Sequence, residues 1–263
     1  SAELLAPAAP RHLKRSRGSS LDAHCGAERC QLQAAPPHDL DHDEAMSRDT
    51  LGLDSDLSRY LADHSEPPDH VQRDLIDATA ELGLLAQMQI GATQGAFIEV
   101  LVGALAPTFA VEIGTFTGYS SISIAKSLPP GGTLLCCDVS EEWTAVARAH
   151  WERAGLDDRI RLEIAPATET LDRLPDDQQV DFAFIDANKT GYIDYYEALV
   201  PRLTPTGVIA VDNTMWSGQV IDPRDSSEDT EAIRRFNDHA AADPRTVVAM
   251  LSIGDGVTLI RKR

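Results

Sequence analysis

Two periods of hydrophobic residues alternate along the chain from about residue 109 onward. Short, continuous apolar runs, typical of buried strands, alternate with segments whose apolar residues recur at every third or fourth position, as in amphipathic helices. The predicted strands end at residues 113, 138, 164, 186 and 212, and the predicted helices span 119–128, 142–154, 168–174 and 192–203. This alternation predicts an α/β fold with a mainly parallel, doubly wound sheet.

Helical patterns precede this region, and a hairpin pattern follows it. Added N-terminal helices are predicted around Leu57 and over 71–85 and 94–105. They either pack on the sheet or cover its ligand crevice. Near the C-terminus, the apolar runs 246–253 and 256–261 are separated by Gly254-Asp255-Gly256, a spacing typical of a hairpin. The sheet is therefore predicted to end in antiparallel strands.

The first 45 residues differ from the rest of the chain. They are rich in Ala, Pro, His and charged residues and have no apolar periodicity, which is typical of segments that bury too little apolar surface to fold. We predict a disordered or loosely ordered extension over 1–45 and one folded domain over 46–263. His38 and His42 lie near several carboxylates, and we interpret them as part of a solvated acidic tail because nothing fixes their geometry as a metal site.

The strongly acidic composition excludes some classes of partner. The formal net charge is -19, whereas nucleic-acid binding relies on Lys and Arg to neutralise phosphates. We therefore expect no nucleic acid and no anionic membrane as partner, and we favour a small-molecule substrate. The most apolar region, 90–113, is interrupted by Gln94, Glu99, Pro107 and Glu112, so no membrane span is predicted there.

The four cysteines do not form a disulfide framework. Cys25 and Cys30 lie in the predicted extension, whereas Cys136 and Cys137 are adjacent in a predicted strand. Because neighbouring strand residues point to opposite faces, we expect Cys136 and Cys137 to pack on the two faces of the sheet. This reduced pattern predicts a cytoplasmic protein.

The turn after the strand ending at Ile113 carries the first candidate ligand site. Gly114 and Gly118 are spaced G-x-x-x-G, and Glu112 precedes them. A dinucleotide fingerprint uses three glycines so that backbone amides approach a pyrophosphate, which the Glu112 carboxylate would repel. The same carboxylate would attract the cationic amino group of S-adenosylmethionine (SAM). The turn therefore favours SAM over a nicotinamide dinucleotide, and an ordinary connection between strand and helix is the alternative.

Acidic residues end four of the predicted strands: Glu112, Asp138, Asp186 and Asp212. In an open α/β sheet, ligands bind beyond the carboxyl ends of the strands. Asp138 lies 20 residues after Gly118, at the spacing of a carboxylate that binds ribose hydroxyls. The alternative is that Asp138 caps the next helix.

Three further polar residues suggest a metal site. Asp186 and Asp212 are separated by one predicted helix, so we expect their strands to be neighbours in the sheet, and Asn213 follows Asp212 directly. Two carboxylates and an amide oxygen suit Mg²⁺, whereas cap or turn roles are the alternative. A dication would disfavour the ammonium form of Lys189, three residues beyond Asp186, which is a candidate general base or simply a solvated lysine.

Taken together, five blocks of sequence resemble the metal-dependent catechol and caffeoyl-coenzyme A O-methyltransferases, a family of SAM enzymes. The resemblance covers about residues 60–261. The blocks are VEIGTFTGYS (111–120), the strand end at Asp138, Ala165-Pro166-Ala167, FIDANK (184–189) with Tyr192, and VDNTMWSG (211–218). The resemblance implies the Rossmann-like fold of class I SAM methyltransferases and a homodimer.

The resemblance also implies a role for individual residues. The SAM contacts would be Ile90 through its backbone, Glu112, Gly114, Thr115, Ser120, Asp138, Ala167 and Asp186. The ligands of Mg²⁺, or of another divalent cation such as Ca²⁺ or Mn²⁺, would be Asp186, Asp212 and Asn213. Lys189 would be the catalytic base, assisted by Asp186, and the substrate pocket would be lined by Tyr192, Trp216 and Ser217.

The activity implied is methyl transfer from SAM to one of two vicinal hydroxyls on a small catechol or polyhydroxylated aromatic. No convincing basic site for a coenzyme A tail is evident, Arg48 being the nearest candidate, which favours a free phenolic substrate. A SAM-binding regulatory protein without methyl transfer is one alternative. An NAD-dependent dehydrogenase is another, disfavoured by the missing third glycine.

Overall fold

The computed structural model describes residues 53–263, and seven strands in this part of the chain form one sheet. The strands are β1 (Phe109–Ile113), β2 (Thr133–Asp138), β3 (Ile160–Ile164), β4 (Val180–Ile185), β5 (Leu203–Val211), β6 (Thr246–Leu251) and β7 (Val257–Lys262). Their order is β3-β2-β1-β4-β5-β7-β6; β1 to β5 are parallel, and β7 is antiparallel to both its neighbours. The predicted parallel sheet with a C-terminal antiparallel hairpin is confirmed.

Helices cover both faces of this sheet. They are α1 (Ser55–Asp63), α2 (His70–Ala80), α3 (Ala92–Leu105), α4 (Tyr119–Ser127), α5 (Glu141–Ala154), α6 (Ala167–Asp172), α7 (Tyr192–Leu199) and α8 (Glu228–Ala242). Helices α2 to α5 contribute to the core on one face, and α6 to α8 contribute to the core on the other. The predicted extension, 1–45, lies outside the described residues, as do Cys25, Cys30, His38 and His42, so the domain boundary near residue 46 stays a prediction.

Each strand at the centre of the sheet supplies alternate residues to the two cores. Cys136 packs in the same core as Phe184, whereas Cys137 packs in the other core with Val111. Both cysteines are free and buried. The prediction that they pack on opposite faces of one strand is confirmed, and it follows from the two-residue period of a strand.

Two predicted helices end earlier than their hydrophobic pattern suggests. The pattern over 71–85 extends past the end of α2 at Ala80, because Gly83 adopts a φ of +64° and begins a separate 3₁₀ helix, Gly83–Met88. Helix α7 ends at Leu199, since Pro201 has no N–H to donate to the carbonyl four residues earlier, although Val200 still has α-region angles. Residues beyond it form a 3₁₀ turn and then enter β5.

Residues 83–105 form a stretch apolar enough to pass a composition test for a membrane-spanning helix. The structure divides this stretch into the 3₁₀ helix and α3, whose 14 residues rise about 21 Å, less than the roughly 30 Å of a bilayer core. Ile98 and Val102 of α3 are buried in the core that also contains α4. Packing within the fold accounts for one side of α3, whereas Leu84 and Val100 of the same stretch are exposed.

Candidate active site

A cavity of about 930 Å³ opens at the carboxyl edge of the parallel strands. Its floor is formed by residues that follow β1, β2, β4 and β5, and the 3₁₀ helix Gly83–Met88 borders it on one side. The cavity is bordered by the following residues that the sequence associates with SAM: Ile90, Gly114, Thr115, Ser120, Asp138, Ala167 and Asp186. Residues distant in sequence thus meet where an α/β sheet binds its ligand.

The glycine turn between β1 and α4 is dictated by close packing. Gly114 has a φ of +93°, and a Cβ there would overlap the carbonyl group of Asp186. Gly118 has a φ of +92°, and a Cβ there would lie 2.6 Å from Cβ of Ala147 and 2.9 Å from Nε1 of Trp151. Gly118 therefore allows the start of α4 to approach α5 closely.

Asp138 at the end of β2 holds this turn in place. Its Oδ2 accepts backbone N–H bonds from Thr115 (2.9 Å) and Phe116 (2.8 Å), and its Oδ1 accepts one from Ser140. Ser140, not Asp138, is the N-cap of α5, since its hydroxyl accepts the bond from Trp143 N–H. The alternative role of Asp138 as a helix cap is therefore wrong, and its carboxylate borders the cavity.

Glu112 lies beneath the turn and does not border the cavity, in contrast to the expected direct contact with a ligand. The side chain is fully buried; Oε2 accepts a bond from Cys136 Sγ, and Oε1 has no partner. Burial raises the pKa of Glu112 to about 8, against the opposing effect of the Ser120, Cys136 and Thr115 side chains. The buried hydroxyl of Thr115 is also unpartnered. Of these two unsatisfied atoms, only the Thr115 hydroxyl belongs to a residue that borders the cavity and is available to a polar ligand.

The ends of β4 and β5 bring the proposed metal ligands together. Ile185 pairs with Val211 in parallel register, so Asp186 and Asp212 leave adjacent strands at the same level, as predicted. Asn213 then adopts a φ of +55°, which interrupts the alternation of a strand and allows its side chain to turn towards Asp186. Lys189 Nζ lies 3.0 Å from Oδ1 of Asp186 and 2.6 Å from Oδ1 of Asn213.

This oxygen cluster fits a divalent cation. Asp212 is buried, and burial together with the neighbouring Asp186 carboxylate raises the pKa of Asp212 to about 7. Two carboxylates that repel each other and an amide oxygen form a hard donor set, and the ammonium group of Lys189 already bonds two of the three side chains. Within residues 53–263, no cluster of three or more His, Cys, Asp or Glu side chains is suited to a metal. The candidate set includes only two carboxylates and depends on the amide of Asn213.

Lys189 is held by three acceptors. Besides Asp186 and Asn213, its Nζ lies 2.7 Å from the hydroxyl of Tyr192, and the three bonds use the three protons of an ammonium group. The lysine is about 9% exposed and borders the cavity, with Nζ 5.5 Å from the centre of the Trp216 ring. This is the only lysine or arginine that borders the cavity among residues 53–263.

The expected substrate-lining residues divide into two groups. Trp216 and Ser217 border the cavity, as expected. Tyr192 does not: its ring is fully buried, and its hydroxyl donates to the backbone carbonyl of Asp212. The expectation that Tyr192 lines the ring pocket is therefore corrected, because the hydroxyl is occupied in holding Lys189 and the end of β5.

Sequence analysis missed several residues of the cavity wall. Trp143 packs edge-on against Phe116, with ring centres 5.2 Å apart, and both border the cavity. Tyr195 also borders the cavity while donating a bond to Asn188 Oδ1. Asp255 in the β6–β7 turn also reaches the wall. The position of Trp143 in the first turn after Asp138 was the available signal for the first of these.

Comparison with known proteins agrees with this arrangement. Residues 62–263 match the model of a family described as O-methyltransferase. A protein from Dictyostelium discoideum named "Probable caffeoyl-CoA O-methyltransferase 2" is 40% identical over 210 residues, which cover 78% of this chain and 91% of that protein.

Two solved structures provide further comparison. The O-methyltransferase from Bacillus cereus in complex with SAH has a TM-score of 0.72 and 31% identity, over 79% of this chain and 97% of the other. The O-methyltransferase TomG from Streptomyces achromogenes, involved in tomaymycin synthesis and in complex with SAM, has a TM-score of 0.72 and 26% identity, over 79% and 96%. The resemblance identified from the sequence is confirmed, and the chain belongs to the O-methyltransferase family.

Proposed function

We propose that this O-methyltransferase transfers a methyl group from SAM to one of two vicinal hydroxyls on a small catechol or polyhydroxylated aromatic, in a reaction that requires a divalent cation. The observation that carries the proposal is the convergence of Asp186 and Asn213 on Lys189 at the wall of a cavity that also contains the glycine turn. Asp212 is buried next to Asp186 and does not itself border the cavity. A methyl donor and a metal-held acceptor would thus share one cavity.

The donor half of the proposal rests on the glycine turn. Gly114, Ser120 and Asp138 border the cavity on the side of α4 and α5, and Trp143 closes that side with an aromatic ring. The solved relatives bound to SAM and SAH support the assignment of this half to the methyl donor. In this assignment, Asp138 is available to ribose hydroxyls through its remaining acceptor capacity.

Chemistry in the acceptor half depends on positioning and electrostatics. SAM supplies an electrophilic methyl group, and a divalent cation, when bound, lowers the pKa of a phenolic hydroxyl. Asp186, Asp212 and Asn213 would hold that cation. Lys189 Nζ is 2.6–3.0 Å from oxygens of Asp186 and Asn213, which places it beside the cluster as the candidate base for the phenolic proton. Trp216 forms a flat wall beside Lys189 on which a ring can pack.

The charge of the cavity wall favours a free phenol over a coenzyme A thioester. In the described part of the chain, the charged residues that border the cavity are Asp138, Asp186, Lys189, Asp229 and Asp255. Four acidic groups and one engaged lysine disfavour the phosphates of coenzyme A. The proposed acceptor therefore differs from the one in the name of the Dictyostelium relative. Arg48, the candidate considered from the sequence, lies outside the described residues.

The acceptor proposal is tested with labelled SAM and a matched panel of phenols in the presence of Mg²⁺. Catechol has two vicinal hydroxyls, resorcinol separates them, and caffeate and caffeoyl-coenzyme A share one ring but differ in the tail. We expect methylation of catechol and caffeate, none of resorcinol, and at least about tenfold lower kcat/KM for the thioester. Equal rates on catechol and resorcinol would contradict chelation, and a preference for the thioester would overturn the acceptor class.

The comparisons favour neither alternative function. Membership of the O-methyltransferase family gives no support to an NAD-dependent dehydrogenase, and the cavity contains a lysine and metal-type ligands that a purely regulatory SAM-binding protein does not need. Calorimetric titration with SAM and with NAD distinguishes a SAM-binding protein from an NAD-dependent dehydrogenase. We expect heat of binding with SAM alone.

We further propose a cytoplasmic homodimer with a small phenolic substrate and with neither nucleic acid nor membrane as partner. The net charge of -19 supports the absence of polyanionic partners, and the homodimer rests on the family resemblance. Light scattering after gel filtration measures the mass, for which twice 28.5 kDa is expected and 28.5 kDa would contradict the dimer.

A further inference from the structure

The loop after β5 has an unusual backbone. Asn213, Trp216 and Ser217 have φ values of +55°, +47° and +51°, although none of them is glycine. Residues with side chains rarely adopt this region, and they keep it only where surrounding contacts impose it. The loop carries one proposed metal ligand and two residues of the cavity wall, so whatever imposes this backbone also shapes the site.

The contacts that impose it come from the β6–β7 turn, Gly254-Asp255-Gly256. Backbone N–H groups of Thr214 and Met215 donate to the carbonyl oxygens of Gly256 and Asp255, each at 3.0 Å. The N–H of Ser217 donates to the carboxylate of Asp255. The turn therefore makes three contacts along the strained loop, at residues 214, 215 and 217, the last of them through a side chain.

The shape of the turn is adapted to this contact. Gly256 has a φ of +90°, and a Cβ there would lie 2.6 Å from both N and Cγ of Met215. The turn closes through its own backbone, since Gly256 N–H donates to the carbonyl of Ile253 at 2.9 Å. The hairpin turn thus closes without the Asp255 carboxylate, which instead accepts the bond from the Ser217 N–H in the neighbouring loop.

The contact between Asp255 and Ser217 lies next to Trp216, the part of the cavity wall that faces Lys189. Ser217 directly follows Trp216, whose ring centre lies 5.5 Å from Lys189 Nζ, and all three residues border the cavity. A bond at the Ser217 N–H restricts the rotation of the backbone that carries the Trp216 ring. The ring is the surface on which the proposed aromatic acceptor would pack.

We propose that Asp255 is a positioning residue for the acceptor: through the Ser217 N–H it fixes the strained loop and thereby seats Trp216 at the cavity wall. This inference rests on the proposed function for the identity of the acceptor, whereas the loop contact itself does not. Asp255 acts through another residue and takes no part in proton transfer.

The test compares Asp255→Ala with Asp255→Asn in the full chain. Asparagine retains an oxygen acceptor for the Ser217 N–H, and alanine does not. Hydrogen exchange of the Ser217 amide should quicken about tenfold or more in Asp255→Ala, and stay near wild type in Asp255→Asn. The KM for catechol should rise about tenfold in the alanine variant and recover in the asparagine variant, with SAM affinity unchanged, because the glycine turn makes no contact with this loop bond.

Asp181→Ala is the matched control. The Asp181 carboxylate also accepts backbone N–H bonds, from Thr108 and Phe109, but it lies at the opposite end of β4 and does not border the cavity. This variant should leave both the exchange of Ser217 and the KM for catechol unchanged, which separates a general loss of stability from a local effect.

Unchanged Ser217 exchange in Asp255→Ala, or an acceptor KM within twofold of wild type, would overturn the inference. A wild-type protein that methylates no catechol would contradict the proposed function instead. In that case the exchange measurement still decides whether Asp255 fixes the loop.

Discussion

Lys189 and Asn213 are 24 residues apart in the chain, yet Nζ of the first lies 2.6 Å from Oδ1 of the second. The contact joins the segment after β4 to the segment after β5, and it exists because Asn213 leaves its strand with a φ of +55°. A cationic side chain thus bonds an amide oxygen beside two carboxylates. The predictions that follow test what this arrangement does.

Removal of the Lys189 side chain should abolish proton transfer while leaving the donor half intact. In Lys189→Ala, methylation of catechol should fall about 10²- to 10⁴-fold, the range associated with a general base. SAM affinity should stay within about threefold of wild type, as measured by calorimetry. Lys126→Ala is the control: this lysine pairs with Glu99 on the outer helices and does not border the cavity. Comparable turnover in the two variants would contradict the role of Lys189.

Neutralisation of Asp212 should weaken binding of the cation with little change in the size of the side chain. Asp212→Asn keeps an oxygen for the Asn213 N–H but removes one of the two negative charges. We expect turnover to fall about 100-fold or more and the Mg²⁺ concentration for half-maximal rate to rise, since several kcal/mol of charge stabilisation are lost. Calorimetry should find SAM binding preserved. A normal Mg²⁺ dependence in this variant would exclude Asp212 from the metal site.

Glu112 should make the protein less stable as the pH rises. Its pKa of about 8 in the folded state lies above the ordinary glutamate value of 4.5, so between these pH values the folded state binds the extra proton. The free energy of unfolding therefore falls with rising pH in this window, by at most about 1.4 kcal/mol per pH unit from this group. Denaturant unfolding of wild type and Glu112→Gln at pH 5 and pH 8 isolates the effect. The free energy of unfolding of Glu112→Gln, relative to that of wild type, should be higher at pH 8 than at pH 5. An equal difference between the two proteins at both pH values would contradict the raised pKa of Glu112.

Two glycine substitutions separate backbone strain from crowding. Gly131→Ala introduces a side chain at a φ of +81° with open space around it, and it should cost about 1–2 kcal/mol. Gly118→Ala has a similar φ of +92° but places its Cβ against Ala147 and Trp151, which should cost about 1–3 kcal/mol more. The two free energies of unfolding are compared directly. Equal losses would mean that α5 moves away without cost.

The sheet could be predicted from the sequence because strand and helix periods are local properties. The neighbouring positions of Asp186 and Asp212 followed from the topology of parallel sheets, and the hairpin followed from Gly254-Asp255-Gly256. The ends of α2 and α7 were less predictable, since Gly83 and Pro201 interrupt an apolar pattern that continues past them.

The detailed site depended on contacts that sequence spacing does not encode. The burial of Tyr192 and Glu112 away from the cavity wall results from packing between elements distant in sequence. The spacing of Gly114 and Gly118 indicated a turn, but the groups that constrain these two glycines, Asp186 and α5, became evident only in three dimensions. The bond between Asp255 and the Ser217 N–H likewise joins residues that are 38 positions apart in the sequence.

The most direct test of the metal proposal is an anomalous difference map from crystals grown with Mn²⁺, S-adenosylhomocysteine and catechol. The account predicts one Mn²⁺ peak within about 2.0–2.5 Å of oxygens from Asp186, Asp212 and Asn213, with the catechol oxygens completing its shell. A fully occupied catechol without a peak at these three residues, or a peak elsewhere in the cavity, would contradict it.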